Sequence, residues 1–456
     1  MLNDIMSTLG STIVLPIFIF LLALCLKVKG GTAFKSAIFI GIGLIGINMV
    51  LGFFSGAVVD VVNAMVEKTS INLPFLDVSW GAAATIAYAT SVGLLIIPFC
   101  LVINVIMIAL KVTDTLDIDV WNYWHFALVG GLVYYATNSL LNAFFAAGMM
   151  LLFALLFADW CQPATAQYYG YEGISFPTIS SAEYMPVAII LNKLCDLIGL
   201  NKVKLDPDSI QKKMKVFGDP AILGLFIGFI IGIAGNFDAL GTFEGWASIL
   251  TVSISVAATM HLFPMMPRVL MQGLLPLSNA IRDTFAKKGF KRTINLGMDT
   301  ALCCGETATL ASSLIMVPVC IVLMIVLPYN KFLWIADLLA FPWFFALITP
   351  VTKGNILKNV IIGGVYLCLG DFLITLITPF FTEVAVAVGY EMAAGIQGIN
   401  AGGEGISWLL YGLFHGSCSW IGMLAIVAVY VILLVLYKKN KAAFHRAAGY
   451  DPEAAE

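Results

Sequence analysis

Charge is what this 456-residue chain has least of. Asp, Glu, Lys and Arg together make 11% of it, where a soluble chain carries about 25%. Apolar residues make 60%, more than a water-soluble fold can hide. Histidine is nearly absent, with four in all. There is no His-Glu-x-x-His metal helix, no Gly-x-Ser-x-Gly nucleophile turn and no Gly-x-x-x-x-Gly-Lys-Ser/Thr phosphate loop, so the common hydrolase and nucleotide-binding chemistries lack their motifs. Cys368-Leu369-Gly370-Asp371 lacks the first glycine and the partner motif of an intramembrane aspartyl protease. The nine cysteines lack the spacing of a zinc site or a disulfide framework, and Cys25, Cys100, Cys320 and Cys368 read as small buried hydrophobes. Met1 to Gly10 has no Lys or Arg, so the first apolar run is expected to be a retained span rather than a cleaved signal.

What is present is hydrocarbon in many blocks, such as Ile13 to Leu26, Ile38 to Phe54, Val92 to Leu110, Ala221 to Ala234, Leu314 to Leu327 and Ile421 to Tyr437. By length they predict an all-α polytopic membrane protein with about ten or eleven crossings. Basic residues gather at Lys27 to Lys35, Lys193 to Lys215, Arg268 to Arg292 and Lys438 to Arg446. The positive-inside rule puts these in the cytoplasm, with the N-terminus outside and the C-terminus inside.

The chain starts again near Asp219-Pro220, an N-cap followed by proline at the first helical position. Pro98 and Pro318 close similar apolar runs, and Asp117 and Asp337 echo each other, at an offset of 220 residues. Charge asymmetry is reversed between the halves, which predicts an inverted repeat around a midplane site. The expected division of the single 1–456 membrane domain is 10–158 for the first repeat, 159–218 for a central cytoplasmic or interfacial region, 219–400 for the second repeat, 401–437 for a final span and 438–456 for a cytoplasmic tail. Within the central region, Asp206 to Phe217 reads as a basic amphipathic helix, and Met265 to Phe285 as a second interfacial segment.

Polar groups in hydrocarbon are costly and mark candidate sites. Trp121-Asn122-Tyr123-Trp124-His125 offers aromatic faces to sugar C–H groups and hydrogen bonds from Asn and His; an interfacial aromatic belt is the alternative. Asp77 to Thr90 and Met298 to Ser313 are too small and polar for lipid-facing helices and read as two re-entrant hairpins. Glu306 could accept hydrogen bonds from adjacent hydroxyls of a polyol, or cap a half-helix instead. Gly173 to Pro186 is a third polar island. Glu404, among glycines, reads as a loop residue. Asp299, Asp337 and Glu306 also suit a cation-coupled secondary transporter, the competing reading.

In order and spacing, Gly41 to Gly46, Asp77 to Trp80, Asp119 to His125, Glu172 to Pro177 and Leu296 to Asp299 resemble the permease (IIC) components of galactitol-type phosphotransferase systems, in the ascorbate-galactitol superfamily. The resemblance covers nearly the whole chain. It implies a homodimer in the inner membrane, each protomer with a dimerisation scaffold domain and a core (transport) domain moving as an elevator. It implies a sugar or sugar-alcohol substrate, partner IIB and IIA proteins, and phosphorylation of the bound sugar by IIB. No cofactor, metal, nucleic acid or catalytic nucleophile of its own is expected. The substrate-facing positions it implies are Trp80, Thr85, His125, Ser180, Ser181, Asp299 and Glu306. Two positions depart from the galactitol pattern: Thr178 follows Phe176-Pro177 where that pattern has histidine, and Glu306 stands where histidine can occur.

Overall fold

The computed structural model describes residues 11–25, 27–68, 73–77, 79–203, 205–207, 219–263, 265–287, 292–333, 340–390, 396–398 and 419–455. Asp337, Glu404 and most of the Asp206 to Phe217 stretch lie outside the described residues. Six described helices are long and apolar enough to cross a bilayer: Gly30–Val50, Leu140–Tyr169, Phe243–Leu262, Thr307–Val326, Ile356–Ala387 and Trp420–Lys439. Four shorter apolar helices, including Leu95–Ala109 and Pro220–Gly235, stand beside them.

The first half runs α1 (Ser11–Cys25), α2 (Gly30–Lys68), β1 (Phe75–Asp77), α3 (Ser79–Ala89), α4 (Gly93–Ala109), β2 (Thr115–Asp117), α5 (Trp124–Thr137), α6 (Leu140–Tyr169) and β3 (Ile174–Ser175). After α7 (Tyr184–Leu197), a similar succession follows: α8 (Pro220–Gly235), α9 (Phe243–Leu262), α10 (Met265–Lys287), β4 (Asn295–Gly297), α11 (Thr307–Val326), β5 (Phe332–Leu333), α12 (Phe341–Ala346), α13 (Ile356–Ala387) and β6 (Ile396–Gly398). α14 (Ser419–Lys439) and α15 (Lys441–Ala447) close the chain. Pro163 in α6 and Pro379 in α13 fall at the same distance from their helix starts. The helix opening at Asp219-Pro220 is as the sequence predicts: Asp219 accepts from Ala221 N–H at 2.8 Å and Pro220 opens α8.

Glycines set how closely the outer helices meet. A Cβ on Gly224, Gly228 or Gly232 of α8 would lie 2.9, 2.8 or 3.0 Å from the Cα of Ala257, Ser253 or Ile249 on α9. One glycine per turn thus lets two backbones touch, the small-residue packing that membrane helices use in place of a hydrophobic drive. The Gly41 to Gly46 stretch works in the same way, since a Cβ on Gly43 would meet Leu270 backbone at 2.8 Å. From the other side, one on Gly273 would meet Ser36 O at 2.4 Å. α10, read from sequence as an interfacial segment, therefore packs along α2.

Two small parallel sheets lock the halves together. In one, β1 lies between β5 and β6; in the other, β4 lies between β2 and β3. Each half gives its first strand to the other half's second and third strands, with Phe75 opposite Phe332 and Ile396, and Leu296 opposite Leu116 and Ile174. The strands satisfy backbone groups of chain that is not helical, which an apolar surrounding demands. Fully buried Asn104 of α4 brackets β2, donating to Thr115 O and accepting from Asp117 N–H, both at 2.9 Å.

Candidate functional site

The second sheet aims two chain segments at one point. Beyond β2, Asp117 turns the backbone by accepting from Asp119 N–H at 3.1 Å, and Tyr123 OH donates to Asp117 O at 3.0 Å. That turn holds Asp119 at 2% exposure. Asn122 Nδ2 donates to Asp119 Oδ2 at 2.6 Å. Its carbonyl meets His125 Nδ1 at 2.8 Å, and the His125 ring stacks on Trp124 at 3.7 Å between centroids.

Beyond β4, Asp299 caps a single turn. Its Oδ1 accepts from Ala301 N–H and from Trp343 Nε1, each at 2.9 Å. Asn122 also lies beside Asp299, and Asp119 and Asp299 are near enough to feel each other's charge. One carboxamide therefore holds Asp119 from the first part of the chain close to Asp299 from the second. The loop after β3 seals the assembly. Thr178 Oγ1 accepts from Thr300 N–H at 3.2 Å, and Ser181 Oγ lies 2.6 Å from Thr300 Oγ1 while donating to Trp343 O at 2.7 Å.

Of the residues singled out from sequence, His125, Ser181 and Asp299 come together here, with half-buried Ser180 next to Ser181. Trp80, 48% exposed, and exposed Thr85 lie on α3. That helix is tied to the site through Tyr88 OH, which donates to Trp121 O at 2.9 Å. α3 has 11 residues, a length of about 16 Å at 1.5 Å per residue, which is half of what a crossing needs. Glu306 takes the capping role that its sequence left open. It accepts from Ala308 N–H at 2.9 Å, Thr309 N–H at 2.8 Å and Thr309 Oγ1 at 2.9 Å, and so satisfies the first donors of α11. Thr309 continues into a buried network with Thr349, Asn359 and Ser312.

Asp119, Thr300 and Trp343 were not among the site residues expected from sequence, and Asn122 was named there only as a hydrogen-bonding group of the aromatic stretch. Asp119 carried a signal, since two acids two residues apart in apolar chain ask for a reason; Trp343 carried none. A pair of carboxylates with an amide, an indole and an imidazole beside them can accept from adjacent hydroxyls and cover C–H faces. This is a set suited to a neutral polyhydroxy compound.

The chain matches, over residues 4–395, the EIIC-GAT family, described as the PTS system sugar-specific permease component. A permease IIC component of Escherichia coli (strain K12) is 31% identical over 441 residues, 96% of this chain and 99% of that one. The PTS system galactitol-specific EIIC component of the same strain is 31% identical over 425 residues, 93% of this chain and 92% of that one. Members of the family are transport subunits that do not themselves catalyse phosphorylation, and the apolar helices described above fit a multi-pass inner-membrane protein. The chain belongs to the sugar-specific permease family of the phosphotransferase system.

Proposed function

We propose that this permease binds a sugar alcohol resembling galactitol between Asp119, Asn122, Asp299 and Trp343, and carries it across the membrane for phosphorylation by IIB. The observation that carries the reading is the meeting of Asp119, held by Asn122, with Asp299, held by Trp343, from distant parts of the chain. Two neighbouring buried carboxyl groups beside a neutral amide favour an uncharged polyol over its phosphate. His125, Ser180 and Ser181 line the same place, with Trp80 and Thr85 on the neighbouring short helix. Glu306 holds the start of α11.

The two successions of elements are read as an inverted repeat, with α3 and the Asp299 to Glu306 turn as the tips of two re-entrant hairpins. The exchange of first strands between the halves supports this, as do the matched prolines. α1, α2 and α8 to α10, the last four joined by glycine contacts, make the dimerisation scaffold. The elements around α5, α6, α11 and α13 make the moving core of an elevator. The N-terminus lies outside and the basic C-terminal tail inside. There a hydroxyl oxygen of the sugar bonds to the phosphorus of an IIB phosphocysteine as the S–P bond breaks; the thiolate leaves, and the hydroxyl proton goes to solvent.

The test is accumulation of phosphorylated sugar in membrane vesicles given phosphoenolpyruvate, the soluble phosphotransfer proteins and a panel of polyols. Uptake that instead followed a proton or sodium gradient, with free sugar inside, would make the chain a cation-coupled transporter and end this reading.

A further inference from the structure

The chain does not trail away after its last span. α15 and the residues beyond it are strapped along α6: Trp160 Nε1 donates to Phe444 O at 2.7 Å, and their rings lie 4.6 Å apart. Gln167 and Asp451 exchange two hydrogen bonds at 2.7 and 2.8 Å. Gly449, at φ +111°, passes so near Pro350 O that a Cβ would lie 2.2 Å from it. Lys353 Nζ reaches Asp451 at 3.1 Å.

This strap holds cations against the two loops that lead into the site. Lys441 Nζ and Arg292 Nη1 both bind Asp114, at 3.2 and 2.6 Å. Lys438 Nζ donates to Lys111 O at 3.1 Å. Asp114 immediately precedes β2, which runs on to Asp119. Arg292 shortly precedes β4, which runs on to Asp299, and Asn295 N–H donates to Asp114 O at 2.8 Å. One carboxylate shared by two cations leaves excess positive charge, and Lys438, Lys439 and Arg446 add theirs at exposed positions.

We propose that this surface, formed by Lys438, Lys439, Lys441 and Arg446 on the strapped tail with Arg292 behind them, is where the phosphorylated IIB protein docks. The proposal rests on the functional reading above for the side of the membrane and the partner's identity. A phosphoryl-carrying protein brings negative charge that a fixed cationic surface steers and orients. The surface is continuous with the loops that hold Asp119 and Asp299, so a partner seated on it is led toward the sugar. Anionic lipid headgroups would be drawn to the same lysines, but that attraction needs neither a tail folded onto α6 nor a register with β2 and β4.

The test is binding of purified phosphorylated IIB to the full-length permease in nanodiscs of neutral phosphatidylcholine, wild type against Lys439→Glu/Arg446→Glu, with polyol binding to the permease alone measured on the same samples. The double reversal should lower IIB affinity about tenfold or more and leave polyol affinity unchanged, and added salt should weaken the wild-type complex. The milder Lys439→Gln/Arg446→Gln pair should give a smaller loss of the same sign, which keeps the test decisive if the reversal fails to fold. Unchanged IIB affinity in neutral discs overturns the proposal. An effect of the reversal confined to discs containing phosphatidylglycerol also overturns it and makes the surface a lipid contact. If wild type binds IIB but no polyol, and the reversal abolishes IIB binding, the docking surface stands and the substrate reading falls.

Discussion

Trp343 Nε1 and Asp299 Oδ1 are 2.9 Å apart, and the same oxygen takes the backbone N–H of Ala301. The indole belongs to α12 and the carboxylate to the turn after β4, so the bond fixes the acid's orientation from outside its own segment. Trp343→Phe keeps the ring and removes the donor. A hydrogen bond to a charged group contributes about 1.5–3 kcal/mol, so polyol affinity should fall about tenfold or more. Calorimetry of the variant checks this, and wild-type affinity would remove Trp343 from the site.

Asn122 donates to Asp119 at 2.6 Å and lies beside Asp299. With Asn122→Ala, Asp119 loses its donor next to Asp299, and like charges so placed disfavour ionisation of both. Substrate binding should weaken by about tenfold or more on the scale of one lost charged hydrogen bond, and its pH dependence should become steeper than in wild type. A titration of affinity between pH 5 and 8 that overlays the wild-type curve would contradict this role of Asn122.

Glu306 is a helix cap, and its variants should behave as such. Glu306→Ala leaves the first amides of α11 without their acceptor and should cost about 1 kcal/mol, read as a lowered melting temperature in detergent. Glu306→Gln retains an acceptor oxygen and should hold polyol affinity to within about threefold, well under the tenfold that a lost 1.4 kcal/mol contact gives. A larger loss with Gln would mean that the carboxylate touches substrate after all.

Gly228 faces the backbone of Ser253 with no room for a side chain. Gly228→Leu should force α8 from α9 and destabilise the protein by about 1–3 kcal/mol, the range for overpacking. Gly364, with open space around it, provides the control: Gly364→Ala should leave the melting temperature near wild type.

His445 sits on α15 with Nε2 3.2 Å from Tyr437 OH. Burial first, and Lys441 second, push its imidazole down from 6.5 to about 4. The released tail therefore takes up a proton more readily than the docked one. Docking is favoured fully above about pH 6.5 and weakens as pH falls toward about 4. Hydrogen exchange of the α15 amides, corrected for intrinsic rate, should show less protection at pH 5 than at pH 7.5; equal protection would contradict this.

Membrane character, the helix opening at Asp219-Pro220 and the family could all be read from the chain, because hydrocarbon length, capping and motif order are local properties. Gly41 to Gly46 could be singled out by pattern, yet its role in letting α10 onto α2 depends on what lies opposite. The strands could not be anticipated: two or three residues are too few for a period to register, and their partners lie in the other half of the chain. Glu306 shows the same limit at a single residue, since a carboxylate before Thr-Ala-Thr can cap or bind and the sequence permits both. Composition and local pattern therefore determined the solvent, the helices and the kinship. Tertiary structure decided that Asp119, Asn122, Asp299 and Trp343 meet, because that meeting is made by parallel strand pairing across more than a hundred residues, and no local preference of the chain encodes it.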